Sequence, residues 1–328
     1  MHNMANAIRI HATGGPENLA YESCEVRPPD SSEVRLQQSA VGLNYIDVYH
    51  RTGAYPIDES PFIPGLEAAG TISELGKDIT GFKVGDRVAY AGVPIGAYCD
   101  ERVIPAHRLV KLPDSISFDT AAAMMLQGMT AQYLLRSTYQ VRAGDTVVFH
   151  AAAGGVGLIA CQWLKYLGAT VIGTVGSQQK AELAKQHGCD YTVLYREENL
   201  AERVKEITGG EGVPVVYDSV GKDTYDISLD CLAPRGLFVS FGAASGPVEN
   251  VCVKTLASKG SLYFTRPSLM TYTAKPEDLQ ASAQELIALV ESKVIDINID
   301  QRYALKDAEK AHRDLEARKT TGSTILTV

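Results

Sequence analysis

Long apolar runs are missing from this sequence. None of the 328 residues belongs to a stretch approaching the ~18 apolar residues a membrane-crossing helix needs. The first 20 residues carry no apolar core of the kind a secretory leader has. Paired cysteines are missing too: Cys24, Cys99, Cys161, Cys189, Cys231 and Cys252 are scattered, with no CxxC. They read as free thiols in a reducing compartment. A soluble, cytoplasmic protein without a membrane partner is expected. Positive charge is in deficit, with 31 Lys and Arg against 39 Asp and Glu and a net charge of -8. That balance weighs against nucleic acid as the main partner, while leaving room for a local basic pocket. The seven histidines show no metal-ligand spacing. No Ser/His/Asp, Cys/His or paired-carboxylate arrangement stands out, and there is no low-complexity stretch or short repeat.

What is present is enough apolar material, 45% of the residues, for two sizeable cores, and length for roughly two domains. Residues 1–125 are rich in turns such as GGPE, RPPDSSE and GKDITGFKVGD, which separate short apolar runs at 33–42, 68–75, 86–91 and 102–111. From about 128 the texture changes. Strand-like segments at 146–152, 169–176, 191–195, 213–220, 236–242 and 261–265 alternate with helical ones. Val156, Ile159, Ala160, Trp163, Leu164 and Leu167 fall on one helical stripe. This alternation predicts an α/β fold with a parallel, doubly wound sheet, then a helix at about 277–292 and a short tail at 299–328.

The segment HAAAGGVG (150–157) follows a predicted strand and opens a predicted helix. Read as Ala152-x-Gly154-x-x-Gly157, it is a dinucleotide turn with Ala in the first Gly place. Gly154 would let backbone approach the phosphates and Gly157 would let the helix pack on the strand. The free N–H groups and positive end of that helix favour an anion. An NAD site usually has an acidic residue after the second strand, to bond the ribose 2′-OH. Here Thr174, Val175, Gly176 and Ser177 stand there, with Lys180 one turn on. Hydroxyl, N–H and ammonium suit a 2′-phosphate, so the cofactor expected is NADPH.

These residues carry a family likeness. The chain resembles the zinc-independent quinone oxidoreductases of the medium-chain dehydrogenase/reductase superfamily, the zeta-crystallin-like group. The likeness runs through GGPE (14–17), VGLNYIDVYHRTGAYP (41–56), PGLEAAG (64–70), VGDRVAY (84–90), AAAMMLQGMTA (121–131), HAAAGGVGLIACQWLK (150–165), VVYDSVG (215–221) and AHRDLEARKTTG (311–322). It implies a β-rich GroES-like catalytic domain at 1–127, completed by 299–328, and a Rossmann domain with its trailing helix at 128–298. A homodimer paired near 258–266 is implied as well, with NADPH in the interdomain cleft and a quinone on the nicotinamide. Carried over by position, Asn44, Tyr45, Asp47 and Tyr49 would face the nicotinamide end, with Thr130 beside them. Asn44, Tyr45 and Tyr49 are the catalytic candidates. Gly155 and Val156 would touch the pyrophosphate, along with Gly154 and Gly157. Gly176, Ser177, Lys180 and Tyr195 would hold the 2′-phosphate. Ser219, Phe241, Gly242 and Ala243 would line ribose and nicotinamide, and Phe264, Thr265, Arg266 and Arg318 would close the cleft.

The zinc alcohol dehydrogenases, similar in fold, have ligands where this chain has Asn44, Leu66 and about Leu126, so no metal is expected. Ile46 stands in place of their proton-relaying hydroxyl. Without a metal to polarise a carbonyl the acceptor must already be electrophilic, as quinones and activated enones are. Tyr45, Tyr49 or solvent could supply the proton. Alternatives within the resemblance are enone reduction and a non-enzymatic role, RNA-binding or structural; the charge of -8 weakens the RNA version.

Overall fold

The structure, a computed structural model, describes residues 3–328. Its contacts divide into two units. One comprises the chain up to Met129 with Thr273–Ile287 and Ile297–Val328; the other comprises Thr130–Tyr272 with Ala288–Asp296. Residues 273–287, placed with the Rossmann part on sequence grounds, thus group with the first unit.

In the first unit β1 (Asn3–Arg9) and β2 (Ala20–Val26) form an antiparallel hairpin. Next come β3 (Glu33–Leu43), the short helix α1 (Tyr45–Thr52), β4 (Glu67–Leu75), β5 (Arg87–Ala91), β6 (Glu101–Pro105) and β7 (Val110–Lys111). Inward residues alternate with outward ones along the first half of β3, the pattern of a sheet with one wet face. Its second half, Ala40–Leu43, is wholly buried, and α1 starts two residues after it. The helix α2 (Phe118–Tyr133) then leads out of the β-rich region.

The second unit runs β8 (Thr146–Phe149), α3 (Gly155–Tyr166), β9 (Thr170–Val175), α4 (Gln178–Gln186), β10 (Tyr191–Leu194), α5 (Leu200–Ile207), β11 (Val213–Asp218), α6 (Tyr225–Cys231), β12 (Leu232–Ser240), α7 (Val253–Ser258), β13 (Tyr263–Thr265) and α8 (Leu269–Tyr272). Its strands are nearly all apolar because helices cover both faces of a parallel sheet. The strand order is β10-β9-β8-β11-β12-β13, all parallel. The chain winds one way from β8 to β10 and the other way from β11 to β13. The carboxyl ends of β8 and β11 therefore flank the switch point, where a doubly wound sheet opens a crevice.

The helix α9 (Pro276–Glu291) follows, and the tail supplies β14 (Ile299–Ala304), α10 (Ala308–Glu316) and β15 (Ser323–Thr327). β15 pairs with β3, so the first sheet reads β14-β15-β3-β4-β5-β7, with β6 also on β3. The tail thereby completes the unit begun by the first residues of the chain.

Candidate active site

At the switch point the turn after β8 is held from two sides. His150 N–H donates to the Tyr217 carbonyl (2.9 Å) and Ala152 N–H to that of Thr174 (3.1 Å). The His150 ring is buried, with Nδ1 3.0 Å from Thr174 Oγ1 and Nε2 2.8 Å from Ser228 Oγ. Burial pushes its pKa below the usual histidine range, so the ring is a neutral strut. Ala151 takes a left-handed φ of 54°, which turns the chain into α3.

The two motif glycines do different work. A Cβ on Gly157 would lie 2.4 Å from the Ala151 carbonyl oxygen and 2.7 Å from the Ala152 carbonyl, so the helix can seat on the turn only without one. A Cβ on Gly154 would meet a single atom, at 3.3 Å. Its φ of -83° suits any residue, so nothing inside the chain demands glycine there. Gly154 thus leaves open space beside the turn. The N-cap residue, Gly154, has no side chain to accept the first N–H groups of α3, at Gly155, Val156 and Gly157. A pyrophosphate fits such a cradle.

Beside it, β9 ends at Val175, and the next residues come together as expected. Ser177 caps α4, its hydroxyl accepting the Lys180 N–H at 3.4 Å. The Tyr195 hydroxyl lies 2.8 Å from where a Gly176 Cβ would stand. The guanidinium of Arg196, which sequence reasoning passed over, sits 5.8 Å from the Tyr195 ring centroid. Its adjacency to Tyr195 in the chain was the available signal. On the other strand of the switch point, buried Asp218 accepts the N–H groups of Val220 (2.6 Å) and Gly221 (3.1 Å) and shapes the turn. Phe241 N–H donates to the Asp218 carbonyl (2.8 Å), and a Gly242 Cβ would lie 2.6 Å from the Ser219 carbonyl oxygen. Ser219, Phe241, Gly242 and Ala243 are thus gathered at adjacent strand ends, all partly exposed.

In the first unit, Asn44 opens α1 and is buried. Its amide nitrogen donates to Glu67 Oε2 (2.7 Å), and its amide oxygen accepts from Gln127 Nε2 (3.1 Å). Gln127 in turn accepts from the Ser323 hydroxyl (2.7 Å), and Glu67 Oε1 accepts the Leu126 N–H (2.7 Å). Burial raises Glu67 to about 8. Leu66 is also buried. Among the described residues no group of three His, Cys, Asp or Glu side chains is placed to hold a metal ion. Tyr45 and Tyr49 follow on α1, half-buried, their ring centroids 5.4 Å apart, and Tyr55 extends the row at 5.0 Å from Tyr49. Burial raises the Tyr45 phenol above its usual pKa, Glu316 adding to the shift while Arg318 and Arg51 oppose it. At neutral pH it is a protonated donor.

One expected ligand contact is corrected. The Asp47 side chain is fully buried, not presented to a nicotinamide. Its Oδ2 accepts the Asn44 N–H (2.9 Å) and the Tyr98 hydroxyl (3.0 Å), and burial lifts its pKa to about 7. Short acidic residues at the third helical position take this role because the first N–H groups of a helix lack partners. The Phe264 ring, partly buried, packs against Phe238 (5.5 Å) and Tyr225 (6.3 Å). Its neighbours Thr265, half-buried, and Arg266, exposed, lie past it at the end of β13. Thr130 is buried on α2. Arg318 is exposed just beyond α10 with a left-handed φ of 57°.

Comparison with known proteins agrees with this architecture. The family model "Alcohol dehydrogenase GroES-like domain" matches residues 30–114, and "Zinc-binding dehydrogenase" matches residues 155–290. A quinone oxidoreductase of Pseudomonas aeruginosa is 56% identical, over 98% of this chain and 99% of its own. A 2-haloacrylate reductase of a Burkholderia species is 44% identical, over 98% and 99%. The crystal structure of Escherichia coli quinone oxidoreductase complexed with NADPH superposes with a TM-score of 0.96 at 49% identity, covering 99% of this chain and 100% of that one. The chain belongs to the quinone oxidoreductases of the medium-chain dehydrogenase/reductase superfamily.

Proposed function

We propose that this protein is an NADPH-dependent quinone reductase. The observation that carries the reading is the cradle: uncapped N–H groups of α3, open space at Gly154, and the Gly176, Ser177, Lys180 and Tyr195 cluster without a carboxylate. The relative solved with NADPH supports the choice of cofactor. NADPH, when bound, supplies the hydride. Gly154, Gly155, Val156 and Gly157 hold the pyrophosphate, and Lys180, Ser177 and Tyr195 the 2′-phosphate. Ser219, Phe241, Gly242, Ala243, Thr130, Thr265, Arg266 and Arg318 remain proposed contacts of the cofactor. Asn44 and Tyr49 shape the acceptor pocket. Tyr45 holds a proton at its phenol oxygen and passes it to the reduced quinone oxygen.

The protein acts in the cytoplasm as a homodimer joined through the β13 side. There Tyr263 stands exposed at 61% on the edge strand β13, and Val253 at 77% at the start of α7. No helix among the described residues is long and apolar enough to cross a membrane. A second reading, reduction of activated enones, is favoured by the 2-haloacrylate reductase at 44% identity. Anaerobic oxidation of NADPH against a panel of quinones and enals, with product analysis, tests both. Turnover of quinones is expected. Turnover of enals alone would favour the second reading, and neither would overturn both.

A further inference from the structure

The first unit contains a buried polar cluster that the reaction as described does not use. Arg51, in the last turn of α1, is fully buried. Its Nη1 donates to the Gly14 carbonyl (2.8 Å), and its own carbonyl accepts the Gly14 N–H (2.9 Å). Its Nη2 lies 2.7 Å from Glu316 Oε2, at the last residue of α10. One turn away a second tie joins the same helices: Asp47 of α1 accepts from Tyr98, whose hydroxyl oxygen lies 3.1 Å from His312 Nε2 of α10. Tyr98 has one hydroxyl hydrogen, so a neutral His312 donates to it through Nε2. Burial and the Arg51 charge hold His312 at about 3, which keeps it neutral.

The spacing is regular. Asp47 and Arg51 are four residues apart on α1, and His312 and Glu316 are four apart on α10. Each pair therefore shares one helix face, with ties roughly 6 Å apart along the axis. The ion pair and the Asp47–Tyr98–His312 link thus join the two helices at two points. Burying a guanidinium is costly, and its ion pair only partly offsets the lost hydration, so stability alone does not account for Arg51. The helices so joined carry Tyr45 at the first position of α1, and Arg318 two residues past α10. The charged groups acting on the Tyr45 phenol are Glu316 and Arg318 from the end of α10 and Arg51 from its own helix.

We propose that Arg51 and Glu316 are positioning residues, an ion pair that locks the end of α10 to α1 and sets Tyr45 for proton transfer. The proposal rests on the quinone reductase reading. The deciding variant is Glu316→Gln, because the Glu316 side chain is 32% exposed and tolerates a neutral amide. Steady-state turnover with NADPH and 1,4-benzoquinone should fall roughly tenfold in kcat, while the NADPH dissociation constant stays within about twofold. The alkaline limb of the kcat profile should move to lower pH, since burial still raises the phenol pKa but the Glu316 carboxylate no longer adds to it. Arg51→Met should lose as much, and the double variant no more than Arg51→Met alone. If Arg51→Met does not fold, Glu316→Gln still decides.

A folded Glu316→Gln protein with wild-type kcat and pH profile overturns the proposal. So does a loss that vanishes on normalising to the folded fraction, which would make the pair structural. Wild-type protein that fails to turn over any quinone with NADPH removes the quinone reductase reading, and the proposal with it.

Discussion

Substituting Gly154 and Gly157 separately should divide fold from cofactor binding. A methyl at Gly157 would be driven to 2.4 Å from the Ala151 carbonyl oxygen and 2.7 Å from the carbonyl carbon and oxygen of Ala152. All three are backbone atoms of a turn held by Gly154 N–H on the Ala151 carbonyl and Ala152 N–H on that of Thr174, so the helix must lift off the turn. Overpacking of this kind costs about 1–3 kcal/mol, and each kcal/mol lowers the melting temperature by roughly 2–4 °C in a protein of this size. At Gly154 the same methyl meets one atom at 3.3 Å, with an ordinary φ. A helix cap favours Gly over Ala by less than about 1 kcal/mol, and the lost freedom of the unfolded chain offsets about 0.4–1 kcal/mol. Gly154→Ala should therefore melt near wild type and Gly157→Ala clearly below it. Cofactor affinity should run the other way, Gly154→Ala binding NADPH more weakly and Gly154→Val hardly at all while still folded. Thermal melts without ligand and fluorescence titration with NADPH give both quantities on the same samples. Gly154→Val with unchanged NADPH affinity would refute the cradle. A Gly157→Ala protein as stable as wild type would refute the packing argument.

Lys180→Ala should weaken NADPH binding roughly tenfold, the lower end for a screened charge-assisted contact, while NADH affinity hardly changes. Equal weakening of both in titrations would mean that Lys180 supports α4 and does not read the phosphate. Glu67 binds its proton up to about 8 in the fold against an ordinary 4.5, so the folded state holds more protons between those values. Stability should thus be full below about 4.5 and fall as pH rises toward 8, and Glu67→Gln should flatten that slope in denaturant melts taken across pH. Tyr45→Phe and Tyr49→Phe remove only hydroxyls, so loss of kcat at constant NADPH affinity identifies the donor. Full turnover in the double variant would assign the proton to solvent.

The fold was legible wherever burial is two-sided or strictly alternating. The parallel strands of the second unit, such as TVVF at 146–149 and VPVVYD at 213–218, were placed because covered sheets need unbroken apolar runs. The helix stripe from Val156 to Leu167 was placed by its period. The helix α2 was missed: AAAMMLQGMTA is apolar all round, and a helix buried on every side shows no stripe. α1 was quoted as a motif and not seen as a helix, because eight residues with three aromatic rings give neither length nor propensity. Legible too were the glycine at 157, which the seating of α3 on its turn requires, and Ser177 at the head of α4. The site was not legible in the links Asn44–Gln127, Asp47–Tyr98 and Arg51–Glu316, whose partners lie 83, 51 and 265 residues apart in sequence. Such pairings follow from tertiary packing, such as the pairing that brings β15 beside β3, and not from any local pattern.

Asn44 stands where the resemblance to zinc alcohol dehydrogenases would put a metal ligand. An amide there offers one donor and one acceptor face, and both are used, toward Glu67 and toward Gln127. A cation is not needed to balance Glu67, because burial keeps that carboxyl protonated up to about 8. The chain Ser323–Gln127–Asn44–Glu67–Leu126 is therefore neutral from end to end at pH 7, and it fixes the first residue before α1 to β4, α2 and β15 together. A charged substitute at Asn44 would break that neutrality, and an apolar one would strand the Gln127 amide and the Glu67 oxygen without partners, each at about 1–3 kcal/mol. The polar identity of Asn44 is thus dictated by its buried neighbours as much as by anything it meets on the ligand side. Its place at the head of α1 transmits that rigidity to Tyr45.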